Sequence, residues 1–434
     1  MTSRCSVEAA TRVRSRAKAR VTAITLSAAA LFLYTGTLHG QVTAIRAGQL
    51  LDPENGTVSA SQVILVENGR ITAVGPHLAI PSGATVIDLS RFTVMPGMFD
   101  AHTHLSMVVQ KQRDGGDYYV TTLRDPTPFR AIQGVANARA LLEAGFTTVR
   151  DVGNAGNYAD TDLRRAIEAG IVPGPTIVNS GRIIAPYGGQ FFLQPEKRGL
   201  GEPEYLYADT RDEMLKAIRE NIHYGATVIK IVVDDQRYIY SIDDIRFMIG
   251  EAGAAGLKVA AHAWTGPGAH NAAAAGVASI DHGRIFSDED LELAKRNNVV
   301  LVGTDYLAIG YDPVKGERAQ WIDRLRRAHR IGVTMAYGTD VVEGVGEERA
   351  QRTLSGIEPW VEAGVPANVL LQALTINAAR LLGVDAERGL VRAGLAADII
   401  AVPGNPLQDV NALKSVAFVM KDGKVIKAPG RPAS

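Results

Sequence analysis

Six side chains that could bind metal ions occur in this chain, each within or just after a short apolar run. They are His102, His104, Lys230, His262, His282 and Asp340. Apolar runs of this length are typical of buried β-strands. In a closed barrel of parallel strands, the carboxyl ends of the strands meet at one rim, where active sites are built. The ordered set therefore predicts a metal centre assembled from several strand ends.

The first two candidates form a His-Thr-His sequence after the apolar segment VMPGMFDA at 94–101. On a strand, residues i and i+2 point to the same side, so His102 and His104 can share one metal ion. Taken alone, the motif could equally consist of two unrelated polar residues at a strand end.

Lys230 lies inside the apolar segment ATVIKIVV at 226–233. A lysine in such a strand is costly to bury unless it is neutralised or paired. Carboxylation by carbon dioxide would convert the amine into a carbamate, whose two oxygens could bridge two cations. An ordinary buried lysine paired with a carboxylate is the alternative.

His262, His282 and Asp340 end three later apolar runs. Each histidine alone would more often be structural, but together they predict a second metal site. Asp340 could bind metal and also accept a proton from a metal-activated water. Nitrogen and oxygen ligands of this kind suit Zn²⁺, and they are also compatible with Mn²⁺, Co²⁺ or Fe²⁺.

The middle of the chain alternates strand and helix patterns, the latter for example at 128–144 and 210–224. The strand candidates are 93–101, 146–151, 175–181, 226–233, 257–262, 277–282, 299–304 and 332–339. This alternation predicts an α/β fold, a (β/α)8 TIM barrel over residues 93–385. No glycine fingerprint follows the first strand, which argues against an open Rossmann sheet.

Both ends of the chain have β-strand patterns with turn signals between them. Residues 41–92 include a predicted hairpin around Asn68-Gly69, and residues 386–434 include a second around Asp422-Gly423. We expect the two ends to form one small β-sandwich.

Residues 1–40 are predicted to be a secretory signal peptide. A basic leader precedes an apolar stretch at 21–34, about 14 residues long, and small and polar residues follow. An uncleaved anchor is the alternative. The prediction places the mature protein in a secreted or periplasmic compartment. The single cysteine, Cys5, lies in the leader, so the mature chain would contain no disulfide.

The charge balance limits the partners that we expect. Lys plus Arg and Asp plus Glu both number 46, and no basic block occurs in the body of the chain. Nucleic acid is therefore not expected as a partner, nor is a membrane once the leader is removed. We expect a small-molecule amide or dipeptide substrate and a homo-oligomer.

Three motifs resemble those of the amidohydrolase superfamily. They are VMPGMFDAHTH at 94–104, LTINAARLLG at 374–383 and GLAADII at 394–400. The resemblance covers nearly the whole mature chain, and the imidazolonepropionase-like and prolidase-like members are the most similar. Lys230 favours the binuclear, prolidase-like branch, which also includes ochratoxin-hydrolysing amidases.

The resemblance implies two divalent metal ions, most simply zinc, with a carbamate on Lys230. It also implies two substrate-binding positions. Gln190 stands where prolidase-like relatives often carry a histidine after the third strand, which puts the dipeptide pocket in doubt. Tyr240 resembles a tyrosine that binds a substrate carboxylate, although a packing role at a helix start is an equal alternative.

We therefore expect a secreted binuclear hydrolase that cleaves an amide bond in dipeptides or N-acyl amino acids, including toxins such as ochratoxin. Asp340 would act as general base towards a hydroxide shared by the metals and then as general acid towards the leaving amine. The alternatives are a cyclic-amide hydrolase of the hydantoinase or dihydroorotase kind and a catalytically inactive binding or assembly barrel.

Overall fold

The computed structural model describes residues 41–306 and 317–430. The predicted signal peptide lies outside the described residues, and the domain boundaries stay predictions. In the two described ranges, no helix combines the length and apolar character needed to cross a membrane.

The strands are β1 (Thr43–Asp52), β2 (Thr57–Glu67), β3 (Arg70–Gly75), β4 (Thr85–Pro96), β5 (Met98–Thr103), β6 (Phe146–Asp151), β7 (Thr176–Asn179), β8 (Ile183–Ala185), β9 (Tyr205–Tyr207), β10 (Ile229–Val232), β11 (Val259–Ala263), β12 (Ser279–His282), β13 (Val300–Val302), β14 (Ile399–Val402), β15 (Phe418–Lys421) and β16 (Lys424–Lys427).

The α-helices are α1 (Lys111–Asp114), α2 (Tyr118–Arg124), α3 (Thr127–Glu143), α4 (Ala159–Glu168), α5 (Arg211–His223), α6 (Ile242–Ala254), α7 (Gly266–Ala275), α8 (Asp288–Arg296), α9 (Glu317–Ile331), α10 (Glu347–Ser355), α11 (Glu358–Glu362), α12 (Ala367–Ala373) and α13 (Ile376–Leu382). Two 3-10 helices span Pro195–Leu200 and Val410–Lys414.

Strands from the two ends of the chain combine in one seven-stranded sheet, in the order β16-β15-β14-β4-β1-β2-β3. The two ends meet where β14 pairs antiparallel with β4. At the other edge, Ile71 donates its backbone N–H to Leu395 O at 2.9 Å, and Ala397 donates to Gly69 O at 2.9 Å. The sheet thus curls back towards the start of β14 and encloses its own apolar cluster, which includes Ile64.

The barrel consists of two groups of parallel strands joined by hydrogen bonds. One sheet has the order β5-β6-β7, and the other has the order β13-β12-β11-β10-β8-β9. Thr227 donates its backbone N–H to Asn179 O at 2.8 Å, which links β7 to the residues just before β10. On the far side, Leu301 of β13 donates to Thr334 O at 2.9 Å, and Ala101 of β5 donates to Tyr337 O at 2.8 Å. These contacts close the ring, as a TIM barrel requires.

Two of the predicted strands differ from expectation. The third is interrupted after β7, and Gly181 adopts a left-handed φ of 68° before β8 begins. The predicted strand at 332–339 is wrong as a regular strand, because only an isolated parallel bridge joins Met335 to Leu301. Tyr337 donates its backbone N–H to Ala373 O at 3.0 Å, so the segment shares its hydrogen bonds between the barrel and α12.

Candidate metal centre

All six predicted metal ligands line one cavity of about 300 Å³ at the carboxyl ends of the barrel strands. His102 is on β5, Lys230 on β10 and His282 at the end of β12. Each of these strands is buried along its whole length. The barrel therefore places ligands that are far apart in sequence around one space.

His102, His104 and Asp340 form the tightest group in this cavity. The Nε2 atoms of the two histidines are 3.3 Å apart. Asp340 Oδ1 is 3.2 Å from His104 Nε2 and 3.6 Å from His102 Nε2. Ligands about 2.1 Å from a tetrahedrally coordinated cation are themselves separated by roughly 3.4 Å. This spacing fits a group of side chains that share one divalent cation.

The other two histidines lie beside this group. The His262 and His282 rings have centroids 4.5 Å apart. Asp340 Oδ2 is 3.8 Å from His282 Nδ1, so the two oxygens of this carboxylate face different histidines. His262 Nε2 is buried and has no hydrogen-bond partner among the described residues. It lies 2.8 Å from Asp235 Oδ2, and His262, Asp234 and Asp235 together form a second group of side chains that could hold a metal ion.

The protonation of His102 and His282 also suits metal binding, which requires a neutral imidazole, whereas Asp340 raises the pKa of His104 against the effect of burial. Burial, with the nearby charge of Lys230, lowers the pKa of His102 to about 4. Burial and the neighbouring His262 and His102 hold the pKa of His282 well below its ordinary value. Both rings are therefore neutral near pH 7, with nitrogen lone pairs that can bind a cation.

Lys230 lies at the base of the cavity and donates from Nζ to Asp281 Oδ2. Burial is the main reason that the pKa of Lys230 falls below its ordinary value. Arg150 approaches the other oxygen of Asp281 at 2.8 Å and also donates to Ala101 O at 2.5 Å. Burial alone would raise the pKa of Asp281, but Arg150, Lys230 and His102 together hold it well below its usual value.

Sequence reasoning missed Asp281 and Arg150. Strand alternation would place Asp281 and His282 on opposite faces, but both reach the centre because His282 has a left-handed φ of 71°. Asp340 has a similar conformation, with φ at 60°. Strained backbone of this kind is concentrated at functional sites and costs on the order of 1–3 kcal/mol per residue. A usable signal existed for Arg150, because a charged side chain inside a buried strand needs a partner.

Asp100 joins β5, which carries His102, to the segment that carries Asp340. Its Oδ1 accepts from the backbone N–H of His102 at 3.0 Å and of Thr339 at 3.1 Å, and Oδ2 accepts from Thr339 Oγ1 at 2.7 Å. Burial raises the pKa of Asp100 to about 7 despite these hydrogen bonds. The carboxyl group therefore positions the backbone next to His102 and Asp340.

A second acidic group, Asp234 and Asp235, adjoins His262. Asp234 is already engaged in holding the loop after β11, because its carboxylate accepts from the backbone N–H of Trp264 and of Thr265 at 2.7 to 3.0 Å. Asp235 Oδ2 accepts from Gln190 Nε2 at 2.8 Å. Asp234 and Asp235 therefore position the residues next to His262: Asp234 holds the loop after β11, and Asp235 holds the side chain of Gln190.

The two predicted substrate-binding residues have different positions. Gln190 lines the cavity, and its Oε1 accepts from Tyr205 Oη at 3.0 Å. Tyr240 is fully buried in the main apolar core, where its hydroxyl donates to Ala208 O at 2.6 Å. The structure does not place Tyr240 among the described cavity-lining residues. Its position directly before Ser241, the N-cap of α6, fits the alternative packing role.

The protein-family model for the amidohydrolase family matches residues 93–426. Ochratoxinase from Aspergillus niger is 28% identical over 444 residues, covering 91% of this chain and 88% of that protein. Imidazolonepropionase from Deinococcus radiodurans is 26% identical over 414 residues, covering 87% of this chain and 94% of that protein. The crystal structure of a Xaa-Pro dipeptidase with methionine bound in its active site is similar at a TM-score of 0.78 and 28% identity, covering 89% of this chain and 100% of the other.

Proposed function

This chain belongs to the amidohydrolase family, and on that premise we propose that it is a secreted, binuclear metal-dependent hydrolase of dipeptides or N-acyl amino acids. The observation that carries the proposal is the position of Asp340. One oxygen of its carboxylate faces His102 and His104, and the other faces His282.

The proposed ligands for two divalent cations, most simply zinc, are the residues that line the cavity floor: His102, His104, Lys230, His262, His282 and Asp340. When bound, such cations lower the pKa of a water molecule and polarise the scissile carbonyl. The donor set fits them, since it offers neutral imidazoles and a carboxylate in one buried cavity.

Asp340 is the proposed acid–base group. Burial opposes its ionisation, but His102, His104 and Lys230 outweigh that effect and lower the pKa of Asp340 to about 2. The carboxylate is therefore ionised near neutral pH and can accept a proton from the attacking water. It can then return that proton to the nitrogen of the leaving amine as the C–N bond breaks.

For Lys230 we propose carboxylation. Carbon dioxide would add to neutral Nζ, forming an N–C bond and releasing one proton to solvent. The support is burial, which lowers the pKa of Lys230 and so raises the fraction of neutral amine. The ion pair with Asp281 is the arrangement expected of the unmodified lysine.

The cavity wall favours substrates with an apolar or aromatic part. Trp264, Trp321 and Tyr118 line it together with Met107 and Ile183. The names of two similar proteins indicate Xaa-Pro dipeptides and ochratoxin as starting points for a substrate search.

The test is a screen of zinc-loaded protein against Xaa-Pro dipeptides, N-acyl amino acids including ochratoxin A, and cyclic amides. Release of the free amino acid would be followed by chromatography. We expect turnover in one of the first two classes and its loss in Asp340→Asn. Asp243→Asn, an exposed change on α6, is the matched control and should retain activity. Turnover of cyclic amides alone, or of no compound, would overturn the proposal.

Export is a separate part of the proposal and rests on the basic leader and short apolar stretch within residues 1–40. Expression of the full chain in a bacterial host should yield protein in the periplasm with a mass lower by that of roughly the first 40 residues. Full-length protein retained in the cytoplasm would contradict it.

A further inference from the structure

One wall of the cavity carries a carboxylate with an unused acceptor. Glu343 lines the same cavity as the proposed metal ligands, three residues after Asp340. Its Oε2 atom is buried and has no hydrogen-bond partner in the described part of the chain. Buried carboxylate oxygens normally accept a hydrogen bond, because leaving such a group unpaired is costly. Glu343 Oε2 therefore lacks a donor that a molecule bound in the cavity could supply.

We propose that Glu343 binds an ammonium group of the substrate and so selects amides that carry a positive charge beside the scissile bond. The inference rests on the proposed function, because it names a recognition element of the same site. It makes Glu343 a specificity-determining residue, distinct from the metal ligands and from the acid–base group.

The backbone at Glu343 is held in place from two directions. Arg349 of α10 is buried, and it donates from Nε to Glu343 O at 3.0 Å and from Nη1 to His104 O at 3.2 Å. Glu343 also forms an isolated parallel bridge with Val109. These contacts fasten the segment after Asp340 to the segment after His104. The carboxylate is therefore attached to a preformed wall, which lowers the ordering cost of binding a ligand.

The cations that act on Glu343 have other partners. Burial raises the pKa of Glu343, and its own backbone N–H, Arg349 and Arg352 offset that effect only in part. Arg349 gives its N–H groups to backbone carbonyls, among them Val341 O at 2.6 Å. Arg352 donates to Glu348 Oε1 at 2.6 Å. A positive charge on a bound substrate would compensate for the burial of the Glu343 carboxylate.

Glu343 also lies near the reacting end of the cavity. Burial is the largest cause of its raised pKa, and the negative charge of Asp340 adds to it. Such an effect weakens with distance, so the two carboxylates belong to the same part of the cavity. They are the two carboxylates among the described lining residues, and Asp340 faces the histidines. Glu343 is therefore the acidic group that an ammonium next to the scissile amide would meet.

The experiment compares L-alanyl-L-phenylalanine with L-lactoyl-L-phenylalanine, in which a hydroxyl group replaces the ammonium group. A second pair, N-acetyl-L-lysyl-L-phenylalanine and N-acetyl-L-norleucyl-L-phenylalanine, tests an ammonium group on a side chain instead. Release of phenylalanine by zinc-loaded protein gives kcat and KM for each compound. Binding is measured separately by calorimetry in the Asp340→Asn background.

Glu343→Gln keeps the size of the side chain and removes its charge. In one of the two pairs it should raise KM, and weaken binding, for the ammonium compound by roughly 10- to 100-fold, while kcat and the values for the neutral compound stay nearly unchanged. Glu343→Asp should restore part of the preference, because it keeps the charge with a shorter reach. Glu347→Gln, an exposed change on α10, is the matched control and should behave as wild type. Circular dichroism and thermal unfolding would establish that each variant is folded.

The two pairs identify the source of the charge. A preference that Glu343→Gln removes in the alanyl and lactoyl pair assigns Glu343 to the α-ammonium group of a dipeptide. The same result in the lysyl and norleucyl pair assigns it to a basic side chain.

The outcomes also separate this inference from the proposed function. If the compounds are hydrolysed and Glu343→Gln affects both members of each pair equally, the assignment of Glu343 is wrong and the amide hydrolase stands. If none is hydrolysed but an ammonium compound binds selectively and loses that selectivity in Glu343→Gln, the assignment stands and the hydrolase proposal fails for these compounds. Absence of ammonium-selective binding in protein that keeps Glu343 overturns the assignment.

Discussion

Asp340 and His102 are connected through both their backbones and their side chains. The Asp340 backbone N–H donates to His102 O at 2.9 Å, and Asp340 Oδ1 is 3.6 Å from His102 Nε2. The backbone contact helps to close the barrel. The side-chain contact brings together the first and the last of the proposed metal ligands in the order of the chain. The same two residues therefore contribute both to barrel closure and to the proposed ligand group.

Replacing Asp340 with asparagine should separate catalysis from metal binding. The change keeps one oxygen ligand but removes most of the basicity, so kcat should fall on the order of 10²–10⁴-fold. Metal content should change little, because His102, His104 and Lys230 remain. Near-normal kcat with full metal occupancy would assign the proton transfer to another residue.

Gly338→Ala should disturb the centre without touching a ligand. A Cβ at this position would lie 2.4 Å from Val302 Cγ1 and 3.0 Å from both the N and Cβ atoms of His102. We expect lower metal content and activity, measured by elemental analysis and turnover. Gly250→Ala on α6 is the matched control, since its Cβ would meet nothing within 4 Å. If the two variants retain equal metal and activity, the close approach of Gly338 to His102 is not required.

In the metal-free protein, His102 should contribute a loss of stability as the pH falls from about 6.5 to about 4, while Asp100, whose pKa is raised to about 7, contributes in the opposite direction. The pKa of His102 is lowered to about 4, so in this range the unfolded chain binds a proton that the folded chain rejects. The contribution of His102 to stability then rises with pH and is on the order of 3 kcal/mol. Urea unfolding at several pH values would measure the slope.

The matched variants for this titration are His102→Gln and His223→Gln, which removes an exposed histidine. Relative to the protein that keeps His102, His102→Gln should make the slope of stability against pH less positive by about one proton, with His223→Gln as the comparison. An unchanged slope in His102→Gln would show that His102 is not the group held neutral by burial.

Lys230→Ala should abolish activity, because the proposed carbamate would be lost. A short carboxylic acid such as propionate, supplied with bicarbonate, should restore part of the activity by filling the space with a carboxylate. Lys216→Ala on α5 is a control outside the cavity. Wild-type activity in Lys230→Ala without any additive would exclude a bridging role.

The parts of the site that depend on strand period and strand order could be predicted from the sequence. The i, i+2 spacing predicts that His102 and His104 point to the same side of their strand. The barrel topology predicts that His262, His282 and Asp340 lie at the same rim. Tyr240 could not be placed, because its direction depends on packing under α6 and not on its distance along the chain from Lys230. The left-handed backbone conformation at His282 and Asp340 could not be predicted from the sequence either, since neither residue type requires it.

Metal stoichiometry tests the central claim, a binuclear centre with Lys230 between two ligand groups, most directly. Elemental analysis of purified enzyme, titrated with Zn²⁺ and followed by activity, should give about two metal ions per chain at maximum activity. Lys230→Ala should hold fewer. Maximum activity at one metal ion or fewer per chain would contradict the binuclear assignment.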